Sequence, residues 1–128
     1  MEIDNRMKYA KTHEWVLVEG KKAKIGVSDY AQQQLTDIVF VELPEINAKI
    51  EKGKSFGVIE SVKAVEDVYA PVSGKVTARN QKVIDSPELI NNDPYNAWLI
   101  EVEMENLKEL DELMNADQYK KFLETESH

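Results

Sequence analysis

The sequence predicts a mainly β fold, a flattened barrel or sandwich of short strands with a short edge helix and C-terminal helices. Between about residues 8 and 105, short apolar and β-branched runs alternate with glycine, proline and polar breakers. From about residue 106 the apolar residues recur at helical spacing instead. The chain has 128 residues, the length of one domain. We therefore expect residues 1–128 to form a single domain, with its core in about 8–105 and a helical segment over about 106–124.

The first predicted elements are strands and the edge helix. His13–Val18 is apolar and β-branched after its polar start, and a Gly-Lys pair breaks it. Lys22–Val27 alternates apolar residues with lysine and glycine, which is the period of a half-buried strand. Ser28–Leu35 predicts a short helix, because serine is a good N-cap and alanine, glutamine and leucine favour helix. Ile38–Leu43 returns to strand, and the proline that follows stops it.

The middle of the chain predicts three more extended segments and one helical turn. Val58–Ser61 and Ala64–Ala70 are extended, and a proline limits the second. Lys75–Ala78 is a strand that begins after Gly74. Ser86-Pro87 has the pattern of an N-cap followed by proline at the first helical position, which predicts one short helical turn.

The last predicted strand is Trp98–Met104, with Trp98 and the other even-numbered residues on one face and Glu101 and Glu103 on the other. Asn106 followed three residues later by Glu109 resembles a capping box and predicts the start of a helix. Apolar residues at helical spacing then form two amphipathic stretches. These residues are Leu107, Leu110, Leu113 and Met114 in the first, and Tyr119, Phe122 and Leu123 in the second. We expect both stretches to cover the apolar face of the sheet; a groove for a partner is the alternative.

Composition excludes several classes of function. The formal net charge is −8, so clustered contacts to nucleic-acid phosphates are not expected. The absence of cysteine excludes disulfides, thiolate metal sites and a cysteine nucleophile. The two histidines, His13 and His128, are too few for a histidine-rich metal site. The longest apolar runs span four residues, so no membrane segment is expected, and the first residues lack the basic and apolar regions of a signal peptide.

The negative charge is concentrated near the C-terminus. Residues 101–128 hold nine acids and three bases, a net of −6, whereas residues 1–100 hold fifteen acids and thirteen bases, a net of −2. A solvated helical face is the simplest interpretation of such a charge run. The alternative is a patch that steers basic partners.

Lys63 stands between two predicted strands and is the most informative residue of the chain. If Val58–Ser61 and Ala64–Ala70 pair as a hairpin, Lys63 lies at or near the turn and projects into water. A lysine in that position is accessible to a modifying enzyme. Because the chain has other lysines and lysines are common in turns, position alone does not assign Lys63 a role.

Two segments, one around Lys63 and one that follows it, carry a pattern that indicates a role for this lysine. They are Glu60-Ser61-Val62-Lys63-Ala64 and Asp67-Val68-Tyr69-Ala70-Pro71-Val72-Ser73-Gly74. They resemble the lipoyl-attachment hairpin of the H protein of the glycine cleavage system. The resemblance continues in the family's order over roughly residues 8–123. It includes Tyr9–Val16, Ile25–Gln32, Asp37–Pro44, Pro87–Asn91, Asp93–Tyr95 and Trp98-Leu99. It implies a lipoyl-domain-like fold.

Related carrier classes match the hairpin less well. Biotin carriers usually frame their lysine with methionines, whereas Val62 and Ala64 frame Lys63 here. The lipoyl domains of 2-oxo-acid dehydrogenases usually have an acidic residue before the lysine, and Val62 takes that place. The resemblance is therefore to the H proteins.

The resemblance implies a carrier and not an enzyme. Lipoate in amide linkage to Lys63 would carry the aminomethyl intermediate of glycine decarboxylation. The implied partners are the pyridoxal-phosphate enzyme glycine decarboxylase, an aminomethyltransferase, dihydrolipoamide dehydrogenase and a lipoate-attaching enzyme. A monomer is expected, located in the cytoplasm, or in the mitochondrial matrix if the chain is a processed eukaryotic form.

The resemblance also implies two groups of site residues. Residues beside the lysine would help the lipoate-attaching enzyme recognise the hairpin, and these are Glu60, Ser61, Val62 and Ala64. A cleft that receives the loaded arm would hold its cationic amine with Glu14 and Asp67, with Thr12 as a hydroxyl neighbour. The alternative for both acids is a solvated position at a strand end.

The chain departs from the family pattern in two kinds of position. The family usually has glycine where this chain has Thr36 and Asn47, and its glycine-containing turn before tryptophan is here Asn96-Ala97. Asparagine tolerates positive φ, so Asn47 and Asn96 are expected to keep their turns. Thr36 is β-branched and is less suited to that conformation.

Three other functions are compatible with parts of the sequence. An H-like protein that relays lipoyl groups to other acceptors would need the same lysine hairpin. A hydrolase would have to combine His13 with a serine such as Ser28 or Ser61, although we expect His13 to be a structural polar residue. An acyl carrier protein is also small and acidic, but it requires a helical bundle, which the strand pattern contradicts.

Overall fold

The computed structural model describes residues 1–126, so His128 lies outside the described part. Two antiparallel sheets and short helices make up the fold. The strands are β1 (Lys8–Tyr9), β2 (Glu14–Glu19), β3 (Lys22–Val27), β4 (Ile38–Glu42), β5 (Lys49–Ile50), β6 (Ser55–Ser61), β7 (Val65–Tyr69), β8 (Gly74–Arg79) and β9 (Ile100–Met104). The helices are α1 (Asp29–Leu35), α2 (Gln81–Asp85), α3 (Leu89–Asn92), a 3₁₀ helix (Leu107–Glu112) and α4 (Ala116–Glu126).

The mainly β prediction is confirmed in its sandwich form. Six strands form one sheet in the order β1-β2-β3-β9-β8-β5, and three form the other in the order β4-β6-β7. Across residues 1–126 these sheets do not join into a closed barrel. The two-residue strands β1 and β5 were not predicted, because two residues are too few to show a period.

Three apolar clusters hold the sheets and helices together. The first lies on the six-stranded sheet, where Ile25, Val76 and Ile100 are fully buried. The second joins the three-stranded sheet to α1, α2 and α3 through residues that include Ile59. The third fixes α4 and contains Tyr9, whose ring stacks on that of Tyr119 at a centroid distance of 4.3 Å. Burial of such rings is a main source of stability for this small domain.

The predicted edge helix has its predicted cap. Ser28 is the N-cap of α1, and its Oγ accepts a hydrogen bond from the backbone N–H of Ala31 at 3.2 Å. The second amphipathic stretch is confirmed as α4, which buries Tyr119 and Leu123. The β9 alternation is confirmed for Ile100, Val102 and Met104, which are buried. Trp98 precedes that strand and packs with the third cluster instead.

Two predicted helix starts differ from the structure. Asn106 does cap the 3₁₀ helix, but Glu109 does not complete a capping box, because its carboxylate accepts from the N–H of Ser73 at 2.8 Å and from the Ser73 hydroxyl at 3.0 Å. Ser86 ends α2, which was not predicted, and gives no side-chain cap to α3. Tertiary contacts therefore decide both positions.

Two of the positions at which the family usually has glycine, and this chain has another residue, have positive φ. Thr36 has φ 63° and Asn47 has φ 78°. Asn96 also lies in a turn, in which its N–H donates to the Asp93 carbonyl at 3.1 Å, but it does so without positive φ. Thr36 is held after α1 because its N–H donates to Gln32 O at 3.0 Å and its carbonyl accepts from Asn91 Nδ2 at 2.7 Å.

We expect Thr36→Gly to stabilise the fold. A β-branched residue at φ 63° and ψ −147° is in a region that glycine adopts without strain. Relief of that strain exceeds the entropy cost of glycine, so the free energy of unfolding should rise by about 1 kcal/mol. Urea denaturation measures it, with Asn47→Gly as the control that changes little. A loss of stability in Thr36→Gly would contradict the strain argument.

Candidate functional site

The β6–β7 hairpin holds Lys63 in its turn. The Ser61 N–H donates to the Ala64 carbonyl at 2.8 Å, which closes the reversal. The Ser61 Oγ accepts from the N–H of Lys63 at 3.1 Å and from that of Ala64 at 3.0 Å. The turn is also tied to the residue that precedes β4, since the Val62 N–H donates to Asp37 O at 2.9 Å. These contacts fix the backbone of the turn and leave the side chains of Val62 and Lys63 exposed.

The Lys63 side chain is exposed at the tip of this turn. Its Nζ donates to the Gln34 carbonyl in the last turn of α1 at 3.3 Å. In the described part of the chain, no carboxylate lies within ion-pair distance of this amine. Lys63 therefore lies in the turn of a hairpin and is exposed, as the sequence predicts. Its amine is accessible, and across residues 1–126 its only side-chain hydrogen bond is the one with Gln34.

A cleft of about 500 Å³ lies beside the turn. Its walls come from the segment before β2, from α1, from β7 and from the end of α4. Lys63 stands at its edge, and the structure brings all three predicted cleft residues to it. These are Thr12, Glu14 and Asp67.

Glu14 is the buried charge of the cleft, with only 2% of its surface exposed. Its Oε2 accepts from the N–H of Tyr69 at 3.0 Å, and its Oε1 accepts from the Thr12 hydroxyl. Burial raises the pKa of Glu14 to about 7, although these two donors pull it down. Glu14 is thus not a solvated strand-end acid. Near neutral pH it can carry either a proton or a negative charge.

Asp67 resembles the solvated alternative more closely. Its side chain is exposed, and Oδ1 accepts from the Ser55 hydroxyl at 3.0 Å. The neighbouring Glu66 also lines the cleft and is in register with buried Ile59. Strand alternation therefore places Glu66 on the side of the sheet that faces the cleft. No motif in the sequence distinguishes Glu66 from Asp67.

His13 has structural partners and no nucleophile. Its Nδ1 lies 2.8 Å from the hydroxyl of Tyr119, and its Nε2 lies 3.0 Å from a carboxylate oxygen of Glu126. The Tyr119 hydroxyl also lies 2.7 Å from the Oγ of Ser28, which is fully buried. Burial lowers the pKa of His13, and Glu126 opposes that shift. The contact between Glu126 and His13 joins α4 to the cleft, which no sequence motif indicated.

The comparison with known families agrees with this geometry. A profile of the family described as "Glycine cleavage H-protein" matches residues 7–126. The chain belongs to the glycine cleavage H-protein family. Members of this family carry a lipoyl group and shuttle intermediates between the P-, T- and L-proteins of the glycine cleavage system, and they are not themselves catalysts.

Individual H proteins are similar along nearly the whole chain. The glycine cleavage system H protein of Thermoanaerobacter pseudethanolicus is 52% identical, with 98% of this chain and 100% of the relative covered. That of Carboxydothermus hydrogenoformans is 54% identical, with 97% and 96% covered. The crystal structure of a glycine cleavage system H protein from Mycobacterium marinum has a TM-score of 0.86 and 31% identity, with 98% of this chain and 100% of that chain covered.

The H-protein assignment removes two of the alternatives. A mainly β fold contradicts the helical bundle of an acyl carrier protein. A carrier that is not a catalyst excludes the hydrolase. Within residues 1–126, no group of three or more His, Asp or Glu side chains is placed to bind a metal, and no helix is long and apolar enough to cross a membrane.

The raised pKa of Glu14 predicts a pH-dependent stability. Because the folded state holds this proton more tightly than the unfolded chain, the stability present below pH 4.5 is lost as the pH rises through about 7. Glu14→Gln does not titrate. Relative to wild type, its free energy of unfolding should therefore increase between pH 5 and pH 8, by up to about 3 kcal/mol. Urea denaturation at both pH values tests this, and a difference that is the same at both would contradict it.

Proposed function

We propose that Lys63 carries lipoate in amide linkage and presents it to the enzymes of the glycine cleavage system. The observation that supports this is an accessible amine at a fixed turn, beside a cleft of about 500 Å³. The chain is proposed to act as one domain and as a monomer. Its proposed partners are glycine decarboxylase, aminomethyltransferase and dihydrolipoamide dehydrogenase, and the cytoplasm is its proposed location.

The residues around Lys63 fit a lipoyl group. An amide at Nζ removes the positive charge, and the exposed side chain loses only its contact with the Gln34 carbonyl. When bound, the lipoyl group supplies a redox-active disulfide, which the chain itself cannot supply because it has no cysteine. An extended arm of this length reaches about 15 Å from the backbone, which is enough to enter a neighbouring enzyme.

Glu60, Ser61, Val62 and Ala64 are proposed to let the lipoate-attaching enzyme recognise the turn. Ser61 is the central residue of this group, because its side chain fixes two backbone N–H groups of the turn. Recognition would then depend on where the lysine stands in the turn more than on any single charge.

Thr12, Glu14 and Asp67 are proposed to hold the cationic amine of the aminomethyl cargo away from bulk water. The Glu14 carboxylate is buried, so its attraction to a cation is screened less than on the surface. A cation beside Glu14 would favour its ionised form. Thr12 orients that carboxylate through its hydroxyl, and Asp67 adds charge at the exposed side.

Lys63→Arg should abolish lipoylation, because a guanidinium does not form the amide. Intact mass before and after incubation with a lipoate-attaching enzyme, lipoate and ATP gives the result, and peptide analysis maps the site. Lys54→Arg is the matched control, since Lys54 is also exposed near a turn. It should gain the same mass as wild type.

Moving the lysine by one position tests recognition of the turn. Val62→Lys and Ala64→Lys, each combined with Lys63→Ala, should not be lipoylated, because the amine then leaves the position that Ser61 fixes. Full lipoylation of either double variant would refute the positional proposal.

Glu14→Ala and Asp67→Ala should shorten the lifetime of the loaded protein while leaving lipoylation intact. Loss of either carboxylate weakens the hold on the cationic amine and admits water. Ammonia release after loading, followed over time, should be several-fold faster in both variants. Glu45→Ala serves as control, because Glu45 is exposed and lies outside the cleft. Unchanged lifetimes would remove the cleft proposal.

A further inference from the structure

The outward side of the three-stranded sheet has an arrangement that the carrier role alone does not explain. Phe40, Glu60 and Val65 are in register across β4, β6 and β7. The adjacent row, which contains Val41 and Ile59, points the opposite way and is buried. By strand alternation, the first row therefore faces solvent. We call Phe40, Glu60 and Val65, together with flanking Val39 and Val62, the hairpin face.

The hairpin face groups four exposed large apolar side chains in one place. Phe40 is 48% exposed and Val65 is 63% exposed, and Val39 and Val62 reach 56% and 69%. In residues 1–126, nine large apolar side chains are exposed, and four of them belong to this face. An exposed apolar cluster in a carrier is a candidate contact with another protein.

Charge defines the partner's chemistry. The strands β4, β6 and β7 contain four carboxylates, Glu42, Glu60, Glu66 and Asp67, and no lysine or arginine. None of these four carboxylates is in an ion pair with another described residue. Glu60 is in register with Phe40, and Glu42 follows Phe40 by two residues, so strand alternation places both carboxylates on the hairpin face. An apolar surface with such carboxylates is complementary to an apolar surface surrounded by lysine and arginine.

Building on the proposed attachment at Lys63, we propose that the hairpin face is the docking surface of the lipoate-attaching enzyme, which presents an apolar patch with a basic rim. That enzyme must bring its active site to the Lys63 Nζ itself, so it must cover the surface next to the turn. The enzymes that act on the loaded arm meet it up to about 15 Å from the backbone and do not have to cover this surface. The length of the lipoyl arm therefore favours the attaching enzyme as the protein that binds the hairpin face.

The reaction at this surface is an acyl transfer. The neutral Nζ amine attacks the carbonyl carbon of a lipoyl group activated as an acyl adenylate, which the attaching enzyme makes from lipoate and ATP. The new C–N bond replaces the C–O bond to the nucleotide phosphate, and the nucleotide and a proton leave. In this proposal the hairpin face serves attachment, and the cleft that contains Glu14 serves the loaded arm.

Steady-state lipoylation of Phe40→Ser and Val65→Ser tests the docking surface. Both residues are exposed enough for serine to be tolerated, and thermal unfolding checks the fold. We expect kcat/KM to fall about tenfold in each variant, mainly through a higher KM, because a contact made on docking is lost. Ile46→Ser and Leu107→Ser, which are similarly exposed elsewhere, should stay within about twofold of wild type.

Charge gives a second readout. Lipoylation of wild type should slow as salt increases, and Glu42→Gln combined with Glu60→Gln should both slow the reaction at low salt and flatten its salt dependence. At saturating enzyme every variant should still gain the full mass of lipoate, and the lifetime of the loaded protein should not change.

The outcomes separate this proposal from the attachment proposal. If kcat/KM of Phe40→Ser and Val65→Ser matches that of the control variants, the docking surface is refuted while Lys63 remains the attachment site. If these variants instead impair only the reactions with glycine decarboxylase or aminomethyltransferase, the choice of occupant is overturned. If Lys63→Arg still gains the mass of lipoate, the attachment proposal itself fails.

Discussion

The hydroxyl of Ser61 sits where the two strands of the hairpin reverse, and the site depends on that reversal. It accepts hydrogen bonds from two successive backbone N–H groups, so the turn is held without help from the Lys63 side chain. The lysine can therefore be modified without disturbing the backbone that presents it. Buried Ile59 and Val68 anchor the two strands below the turn. A flexible arm attached to a protein requires such a rigid backbone below an exposed side chain.

The cleft combines a rigid turn with an adjustable charge. Glu14 is buried, and its pKa of about 7 means that a small change in its surroundings alters its protonation. Thr12 and the Tyr69 backbone supply two donors, which is enough to satisfy the carboxylate but not to keep it fully ionised. A cationic cargo would supply the missing partner. The cost of burying this acid is thus consistent with a site adapted to a bound cation.

The sequence predicted the parts of the fold that depend on local period and on caps. The strands of the hairpin, the helix capped by Ser28 and the amphipathic helix α4 all follow from neighbouring residues. Glu109 and Asn96 did not follow the local rules, because Glu109 binds distant Ser73 and Asn96 lacks positive φ. The burial of Glu14, and the contact of Glu126 with the cleft through His13, depend on segments far apart in the chain. No local pattern encodes such contacts.

The contact between His13 and Tyr119 spans 106 residues of sequence, whereas the hairpin around Lys63 closes within a few residues. Local pairings form quickly, and pairings between chain ends must wait until the whole polypeptide has left the ribosome. On a nascent chain, the modification loop can thus fold well before the far wall of the cleft exists. The order of synthesis then makes the proposed attachment point available first and completes the cleft last.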